Sequence, residues 1–406
     1  MDRRKVLKAA AGAFGIVSLR EALAAVGSMA ELGFAELPDG TLEEQMLHAL
    51  PGKVPLIKKT FRPPNYETPV EYFRTPYTAN RAFFVRWHLA AIPQVALKDW
   101  SLSVGGESAE RELKLTMEEL RKDFKPSQVS AVCLCSGNRR GLFEPHVAGV
   151  EWGVGAMGNA VWRGVRLKDV LQKAGVKGDA LEVVLDGADH GAIDKTPDFV
   201  KSIPVEVALD ENTLIAFEMN GQPLPHWNGF PARVVVPGWT GTYWVKGLTS
   251  IKVMPRPEKN FWMSAAYRLP RGRFKTPSFK SQVTEANEPI TTMVVNSLMT
   301  SLKSGQRIAR GKPLEVRGIA WDGGAGIAKV EVSTDGTSWA PAKLGRDLGR
   351  FSFREFALSV PTRESGAMVV MARATSASGE TQTNELIHNP AGYHHNVIQR
   401  IYVEIA

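Results

Sequence analysis

The residues best suited to chemistry lie between Ala131 and Gly141, where the sequence reads AVCLCSGNRRG. The apolar run breaks at Ser-Gly-Asn, which predicts a short strand ending at Cys135 and a turn that carries two arginines. Guanidinium groups near a thiol favour the thiolate, which attacks electrophiles or binds soft metals. Arginines can also clamp a small oxyanion. The pattern therefore predicts a thiolate metal centre that acts on an anion.

The segment Cys135–Arg140, Cys-Ser-Gly-Asn-Arg-Arg, resembles the sulfite oxidase family of molybdenum enzymes. The resemblance implies that Cys135 is the single protein ligand of molybdenum, which is otherwise held by the dithiolene of molybdopterin. It also implies that Arg140 binds the substrate. The alternative for a strand cysteine is a buried structural role. We assign that role to Cys133, which lies two residues earlier on the same strand face.

The segment Asn80–Leu89 is rich in Phe and Val, which predicts a strand with Phe84, Arg86 and His88 on one face. It resembles the family segment that supplies a substrate-binding arginine, here Arg86, and a cofactor-binding histidine, here His88. Without the resemblance, the arginine would be interpreted as a surface charge and the histidine as a core residue. The residues expected to contact the cofactor are Phe84, Val85, Arg86, Trp87 and His88.

Three aromatic or acidic positions downstream also match the family. Trp152 corresponds to a tryptophan beside the substrate pocket, although a core aromatic is an almost equally good interpretation. Asp189 aligns with a cofactor-contacting aspartate, in a loop where Asp is common for conformational reasons. Tyr267 corresponds to the active-site tyrosine of the family, against a packing role as the alternative.

The cofactor phosphate is expected at a further pair of segments. Arg233 and Lys246 match the arginine and lysine that hold the pterin phosphate in the family, and a buried phosphate needs such charge-assisted donors. Trp244 and Val245 directly precede that lysine and are expected to contact the cofactor. Many members have a histidine where this chain has Asn228, which can still donate a hydrogen bond.

Length and composition limit the other possibilities. The 406 residues exceed one typical core and predict two domains. The net charge of +8 suits anions, but no Lys/Arg run or RNA motif indicates nucleic acid. Two cysteines at positions i and i+2 do not form a disulfide framework. The sequence contains no Cys-x-x-Cys-His motif, so no haem is predicted in this chain.

The predicted fold class is α+β, with a mixed α/β molybdopterin-binding domain of the sulfite oxidase fold followed by an immunoglobulin-like β-sandwich. Residues 1–30 predict a twin-arginine signal peptide whose apolar run is too short to span a bilayer, and no other membrane span is predicted. The domain prediction assigns residues 31–77 to a Pro-rich wrapping segment, 78–268 to the catalytic domain, 269–280 to a linker and 281–406 to a dimerisation domain.

The resemblance implies the oxidation of sulfite to sulfate by a periplasmic sulfite dehydrogenase. Electrons would leave one at a time to a separate c-type cytochrome, and the assembly would be a homodimer or a heterodimer with that carrier. Two alternatives remain open. One is a related molybdopterin enzyme that acts on a sulfane-sulfur carrier or a sulfoxide, and the other is a non-catalytic periplasmic binding module.

Overall fold

The computed structural model describes residues 34–35, 45–270, 283 and 287–406. The predicted signal peptide, residues 1–30, and residues 271–280 of the predicted linker lie outside the described residues. Within the described part, no helix is both long and apolar enough to cross a membrane.

The helices of the described chain are short. They are α1 Met117–Asp123, α2 Leu167–Ala174, α3 Val205–Ala208 and α4 Phe261–Ser264. Helix α1 begins with a capping box between Thr116 and Glu119. Helix α2 ends at Gly175, whose φ of 77° needs a residue without a Cβ. The spacing of Leu167, Val170 and Leu171 predicts a helix that ends before this glycine, and helix α2 confirms it.

The first described strands pair in chain order as one antiparallel sheet. They are β1 Phe34–Ala35, β2 Gln45–Ala49, β3 Pro55–Thr60, β4 Asn65–Glu67 and β5 Val85–Arg86. The prolines of the predicted wrapping segment, residues 31–77, favour irregular chain, and that expectation is wrong for much of residues 45–67. The prolines are tolerated because Pro55 is the first residue of β3, while Pro63 and Pro64 lie in the turn before β4.

Two sheets build the centre of the molecule. Their strands are β6 Leu102–Gly105, β7 Leu113–Leu115, β8 Pro126–Leu134, β9 Met157–Arg166, β10 Glu182–Gly187, β11 Lys201–Pro204, β12 Leu214–Met219, β13 Gln222–Pro223, β14 Arg233–Val235 and β15 Leu248–Met254. One sheet has the order β11-β10-β15-β6-β7, and the other has the order β13-β12-β9-β8 with β14 beside β12. They share one hydrophobic core with α1 and α2, which contains Leu120, Leu171, Val183 and Ile215.

The C-terminal part is a β-sandwich, as predicted from its alternating pattern. Strands β16 Arg268–Pro270 and β17 Asn287–Pro289 precede it and form a separate two-stranded sheet. The strands of the sandwich are β18 Asn296–Met299, β19 Gln306–Ile308, β20 Leu314–Trp321, β21 Ile327–Ser333, β22 Ala340–Pro341, β23 Lys343–Leu344, β24 Arg354–Val360, β25 Gly366–Ser376 and β26 Gln399–Ile405. The sheets β18-β20-β24-β23 and β19-β26-β25-β21-β22 face each other. Val316 and Phe356 of one sheet share a core with Ile401 and Val403 of the other.

The sandwich packs directly against strands β8 and β9. Val132 and Met157 of these strands belong to the same buried cluster as Leu298, Ile319 and Phe353 of the sandwich. This contact places the C-terminal part beside the turn that follows β8. The fold class is thus the predicted mixed domain followed by a β-sandwich.

Candidate functional site

A cavity lies between the turn after β8 and the chain around β5, with about 450 Å³ of atom-free space that includes its opening to solvent. The predicted site residues that line it are Phe84, Arg86, His88, Cys135, Asn228, Arg233, Lys246 and Tyr267. No Asp or Glu is among the described residues of the lining. The cavity is therefore suited to anionic groups.

Cys135 follows the last residue of β8 directly, and the paired strands β8 and β9 fix its position. Its backbone N–H donates to the carbonyl of Ala156 at 2.9 Å. The side-chain oxygen of Asn138 accepts from the backbone N–H of Ala156 at 3.0 Å. The backbone N–H of Asn138 donates to the carbonyl of Cys135 at 2.9 Å. The turn is thus held on both sides, and the thiol is presented to the cavity at the end of a rigid strand.

Arg139 and Arg140 have different surroundings. Arg139 is buried and donates to the carbonyl of Ser297 at 2.7 Å, so it fastens the turn to the sandwich. Its φ of 68° turns the chain between the two arginines. The guanidinium of Arg140 lies 4.9 Å from the ring centroid of Tyr393. Its charge partly opposes the rise in pKa that burial causes at Tyr267, which lines the cavity. The expectation that both arginines are available to clamp an anion is therefore wrong for Arg139.

The strand predicted over Asn80–Leu89 is limited to β5, Val85–Arg86. Phe84, Arg86 and His88 nevertheless all line the cavity, because side chains alternate wherever the backbone is extended. The short β5 pairs with β4, so the N-terminal sheet fixes the position of the cavity-lining arginine.

Tyr267 connects Arg86 with His88. Arg86 Nη2 donates to the Tyr267 hydroxyl oxygen at 3.4 Å, and Arg86 Nη1 donates to Asn65 Oδ1 at 3.2 Å. The Tyr267 hydroxyl is also hydrogen-bonded to His88 Nε2. A φ of 58° is uncommon for a residue as bulky as Tyr267 and marks a position that its surroundings constrain.

His88 presents a nitrogen without a protein partner. Burial and, after it, the charges of nearby cations hold the pKa of His88 well below its usual value, so the ring is neutral at pH 7. The Tyr267 oxygen already accepts from Arg86, so we assign its proton to the bond with Nε2. The imidazole proton then lies on Nδ1, which is buried and unpartnered among the described groups. Phe199 stacks at 3.6 Å and fixes the ring plane.

Arg233 and Lys246 form a second cationic part of the cavity. Arg233 packs against two neighbouring indole rings, 5.0 Å from the centroid of Trp162 and 5.6 Å from that of Trp244. Its Nη atoms donate to the carbonyls of Asn228 at 3.0 Å and Trp244 at 2.9 Å. Burial lowers the pKa of Lys246 to about 8, and its ammonium group faces the same cavity. Both cations stay largely protonated at neutral pH and suit a phosphate.

Several predicted residues lie outside the lining. They are Val85, Arg140, Trp152, Asp189, Trp244 and Val245, together with Trp87. Trp152 is fully buried in the main core, and Trp87 lies 4.6 Å below the ammonium of Lys246. Burial raises the pKa of Asp189 to about 6. The charge of this carboxylate favours the protonated form of Lys246. Sequence spacing does not distinguish residues that line a cavity from residues that pack against its lining.

Six further residues of the lining were not predicted to be site residues. The lining also contains Phe83, Cys133, Ser136, Trp227, Gly241 and Thr242. Cys133, which the sequence assigned to the core, is buried but also reaches the cavity, with its Sγ 3.8 Å from Arg233 Nη2. Lys201 is fully buried, donates to the carbonyl of Trp262 at 2.7 Å and lies 5.2 Å from the ring centroid of Tyr267.

Lys53, in the Pro-rich segment, supports the cavity wall. Its buried ammonium donates to Asn228 Oδ1 at 2.6 Å and to the carbonyls of Asn80 at 2.7 Å and Phe83 at 2.9 Å. Asn228 also donates to the carbonyl of Phe84 at 3.0 Å. The Asn228 oxygen and one of its amide N–H groups therefore bind protein groups, which the sequence expectation of a cofactor contact did not anticipate.

The free energy of unfolding should rise more steeply with pH in the wild type than in Lys53→Met, between about pH 7 and pH 10. Burial lowers the pKa of Lys53 from 10.5 to about 7. In this window the unfolded chain keeps a proton that the folded state has released, so each pH unit adds at most about 1.4 kcal/mol. Below the window both states are protonated and the contribution is constant.

Urea unfolding of the two proteins at several pH values measures this difference. Lys98→Met, at an exposed lysine, is the matched control and should keep the wild-type slope. Parallel pH dependences of wild type and Lys53→Met would contradict the prediction.

Comparison with known proteins gives the class of the fold and site. Residues 88–262 match the oxidoreductase molybdopterin binding domain, and residues 287–406 match the Mo-co oxidoreductase dimerisation domain. Sulfite oxidase of Gallus gallus is 32% identical over 344 residues, which cover 80% of this chain and 72% of that protein. Mitochondrial sulfite oxidase of Drosophila melanogaster is 32% identical over 394 residues, 91% of this chain.

A solved structure is also similar. The sulfane dehydrogenase SoxCD from Paracoccus pantotrophus superposes with a TM-score of 0.72 at 25% identity, covering 86% of this chain and 87% of that one. The fold, the strand-end cysteine and these matches define a molybdopterin oxidoreductase. The chain belongs to the sulfite oxidase family. It spans 66% of the length of the fly relative and 52% of the human one.

The cofactor of this class is the molybdenum cofactor, as predicted, and the cavity residues fit it. Buried polar atoms are nearly always hydrogen-bonded. Three in the lining have no protein partner in the described structure, namely His88 Nδ1, Arg233 Nε and Thr242 Oγ1. Two of them are N–H donors beside Lys246, which suits a phosphorylated pterin. The Cys135 sulfur in the same cavity is a soft donor that suits molybdenum.

Proposed function

We propose that this protein oxidises sulfite to sulfate and passes the electrons one at a time to a separate c-type cytochrome. The observation that carries the proposal is the arrangement of the Cys135 thiol and the Arg86 guanidinium in a cavity whose described lining has no carboxylate. Such a cavity favours a small, doubly charged anion beside a sulfur-ligated metal. The similarity to two sulfite oxidases supports the same reaction.

Different residues of this chain would bind the metal, the cofactor and the substrate. Cys135 would ligate the molybdenum, which supplies the two-electron oxidation when its cofactor is bound. Arg233 and Lys246 would hold the cofactor phosphate, and the Nδ1–H of His88 would donate to the cofactor. Arg86 would bind and orient sulfite, because its planar guanidinium matches two oxygens at once. Tyr267 would hold that guanidinium in place through its hydroxyl oxygen.

Purified protein that contains molybdenum should reduce ferricyanide, and then a c-type cytochrome, when sulfite is added. Metal analysis on the same preparation excludes loss of the cofactor as a cause of inactivity. Protein that contains molybdenum and pterin but transfers no electrons from sulfite would refute the proposed substrate. Protein that folds and never retains molybdenum would instead favour a binding module.

A second candidate substrate is a sulfane sulfur bound to a carrier. The similarity to the sulfane dehydrogenase SoxCD favours it, because that match covers both domains of this chain. Parallel assays with sulfite, thiosulfate, a persulfidated carrier peptide and methionine sulfoxide distinguish these substrates. The kcat/KM for sulfite should exceed the others if the main proposal holds.

We also propose that the protein works in the periplasm as a homodimer or as a heterodimer with its cytochrome. The match to a dimerisation domain supports association, and the basic start of the chain supports export. Cell fractionation tests the location. Light scattering with and without the cytochrome tests the assembly.

A further inference from the structure

A loop of the C-terminal sandwich contacts Arg140 and the cavity-lining Tyr267. It comprises residues Asn389–Tyr393, between strands β25 and β26. Tyr393 is buried, with 6% of its surface exposed. Its ring stacks on Tyr267 with centroids 5.7 Å apart and planes 25° apart, and the guanidinium of Arg140 lies 4.9 Å from its centroid.

Hydrogen bonds within the loop hold its conformation, and its backbone packs against the side chain of Arg140. Asn389 Oδ1 accepts from the backbone N–H of Tyr393 at 3.1 Å, and Asn389 Nδ2 donates to the carbonyl of Tyr393 at 2.9 Å. Gly392 has a φ of 64°, and a Cβ there would lie 2.7 Å from Arg140 Cγ. The carbonyl of Ala391 accepts from Arg140 Nε at 3.3 Å. A wild-type loop therefore allows Arg140 little freedom.

We infer that Tyr393 is a positioning residue for the substrate anion, through which the C-terminal domain sets the anion affinity of the catalytic domain. The inference rests on the proposed function and extends it: Arg140 lies outside the described lining but beside Tyr393, and its charge reaches Tyr267 in that lining, so we take it as a second cation for the small oxyanion. The ring fixes the plane of the guanidinium without neutralising its charge, whereas a carboxylate partner would compete with the anion. A fixed plane matters because an oxyanion is bound by two parallel N–H groups.

The test uses the molybdenum-containing protein and the unreactive anion sulfate. Tyr393→Leu should weaken sulfate binding, measured by titration calorimetry, about tenfold, as expected for a buried cation–π contact. The KM for sulfite should rise similarly while kcat changes less. Tyr393→Phe keeps the ring and should retain most of the affinity. The matched control is Tyr402→Leu, at an exposed tyrosine on β26 of the same domain.

A double-mutant cycle separates positioning from a general structural effect. In the Arg140→Met background, Tyr393→Leu should cause no further loss of sulfate affinity. An equal loss in both backgrounds, or unchanged sulfate affinity in Tyr393→Leu, would overturn the inference. If Tyr393→Leu fails to fold, Tyr393→Met provides a substitute of similar volume without the ring.

The outcomes also separate this inference from the proposed function. Wild type that binds sulfate but does not oxidise sulfite would refute the proposed function, while the cycle still reports the coupling between the tyrosine and Arg140. Wild type that oxidises sulfite with no coupling in the cycle would refute the inference alone. Wild type that binds no sulfate would refute the inference as well.

Discussion

Cys135→Ser is expected to abolish sulfite turnover, to below about one hundredth of the wild-type rate, and to leave the pterin bound. The loss should exceed the roughly 10- to 100-fold effects of changing groups behind a metal ligand, because the ligand itself is removed. A serine hydroxyl is a hard, weakly acidic donor that replaces the soft thiolate poorly. The cofactor should remain because Arg233, Lys246 and His88 lie in the same cavity and would hold other parts of it.

Cys133→Ser is the matched control for Cys135→Ser. The two cysteines share the strand face and the cavity, but Cys133 lies next to Arg233 and not at the strand end. X-ray absorption should still show the bond between molybdenum and the protein thiolate in the Cys133 variant. The same contribution should be missing in the Cys135 variant. Loss of that signal in the Cys133 variant alone would reverse the assignment.

Arg86→Met is expected to raise the KM for sulfite by about 10- to 100-fold, with a smaller change in kcat. A hydrogen bond to a charged group contributes about 1.5–3 kcal/mol, and the substitution removes such bonds to the anion. Arg86→Lys should recover only part of the affinity, since an ammonium group cannot copy the two parallel N–H groups. Steady-state kinetics and sulfate inhibition constants give the two effects separately.

Arg81→Met provides the matched control for this prediction, because Arg81 is exposed and lies in the same segment. It should leave KM within about twofold of wild type, as expected for a surface substitution. Molybdenum content of each variant shows whether the cofactor is retained. If Arg86→Met lowered kcat at unchanged KM, this arginine would act in the chemical step and not in binding.

The sequence by itself determined the features that depend on near neighbours. The apolar run before Cys135 became strand β8, the Leu and Val spacing before Gly175 became helix α2, and the alternating pattern after residue 287 became a sandwich. The resemblance around Cys135–Arg140 gave the family. These predictions hold because strand alternation and helix ends are properties of a short stretch of chain.

Only the tertiary structure decided which side chains meet. Arg139 and Arg140 are adjacent in sequence, yet one binds the sandwich and the other lies beside the ring of Tyr393. Lys53 and Asn228 are 175 residues apart and share a buried hydrogen bond. Such contacts arise from how the sheets pack, and many arrangements of the same local elements would separate them. The sequence therefore determined the class and predicted the cysteine ligand, while the packing of the two domains determined the walls of the site.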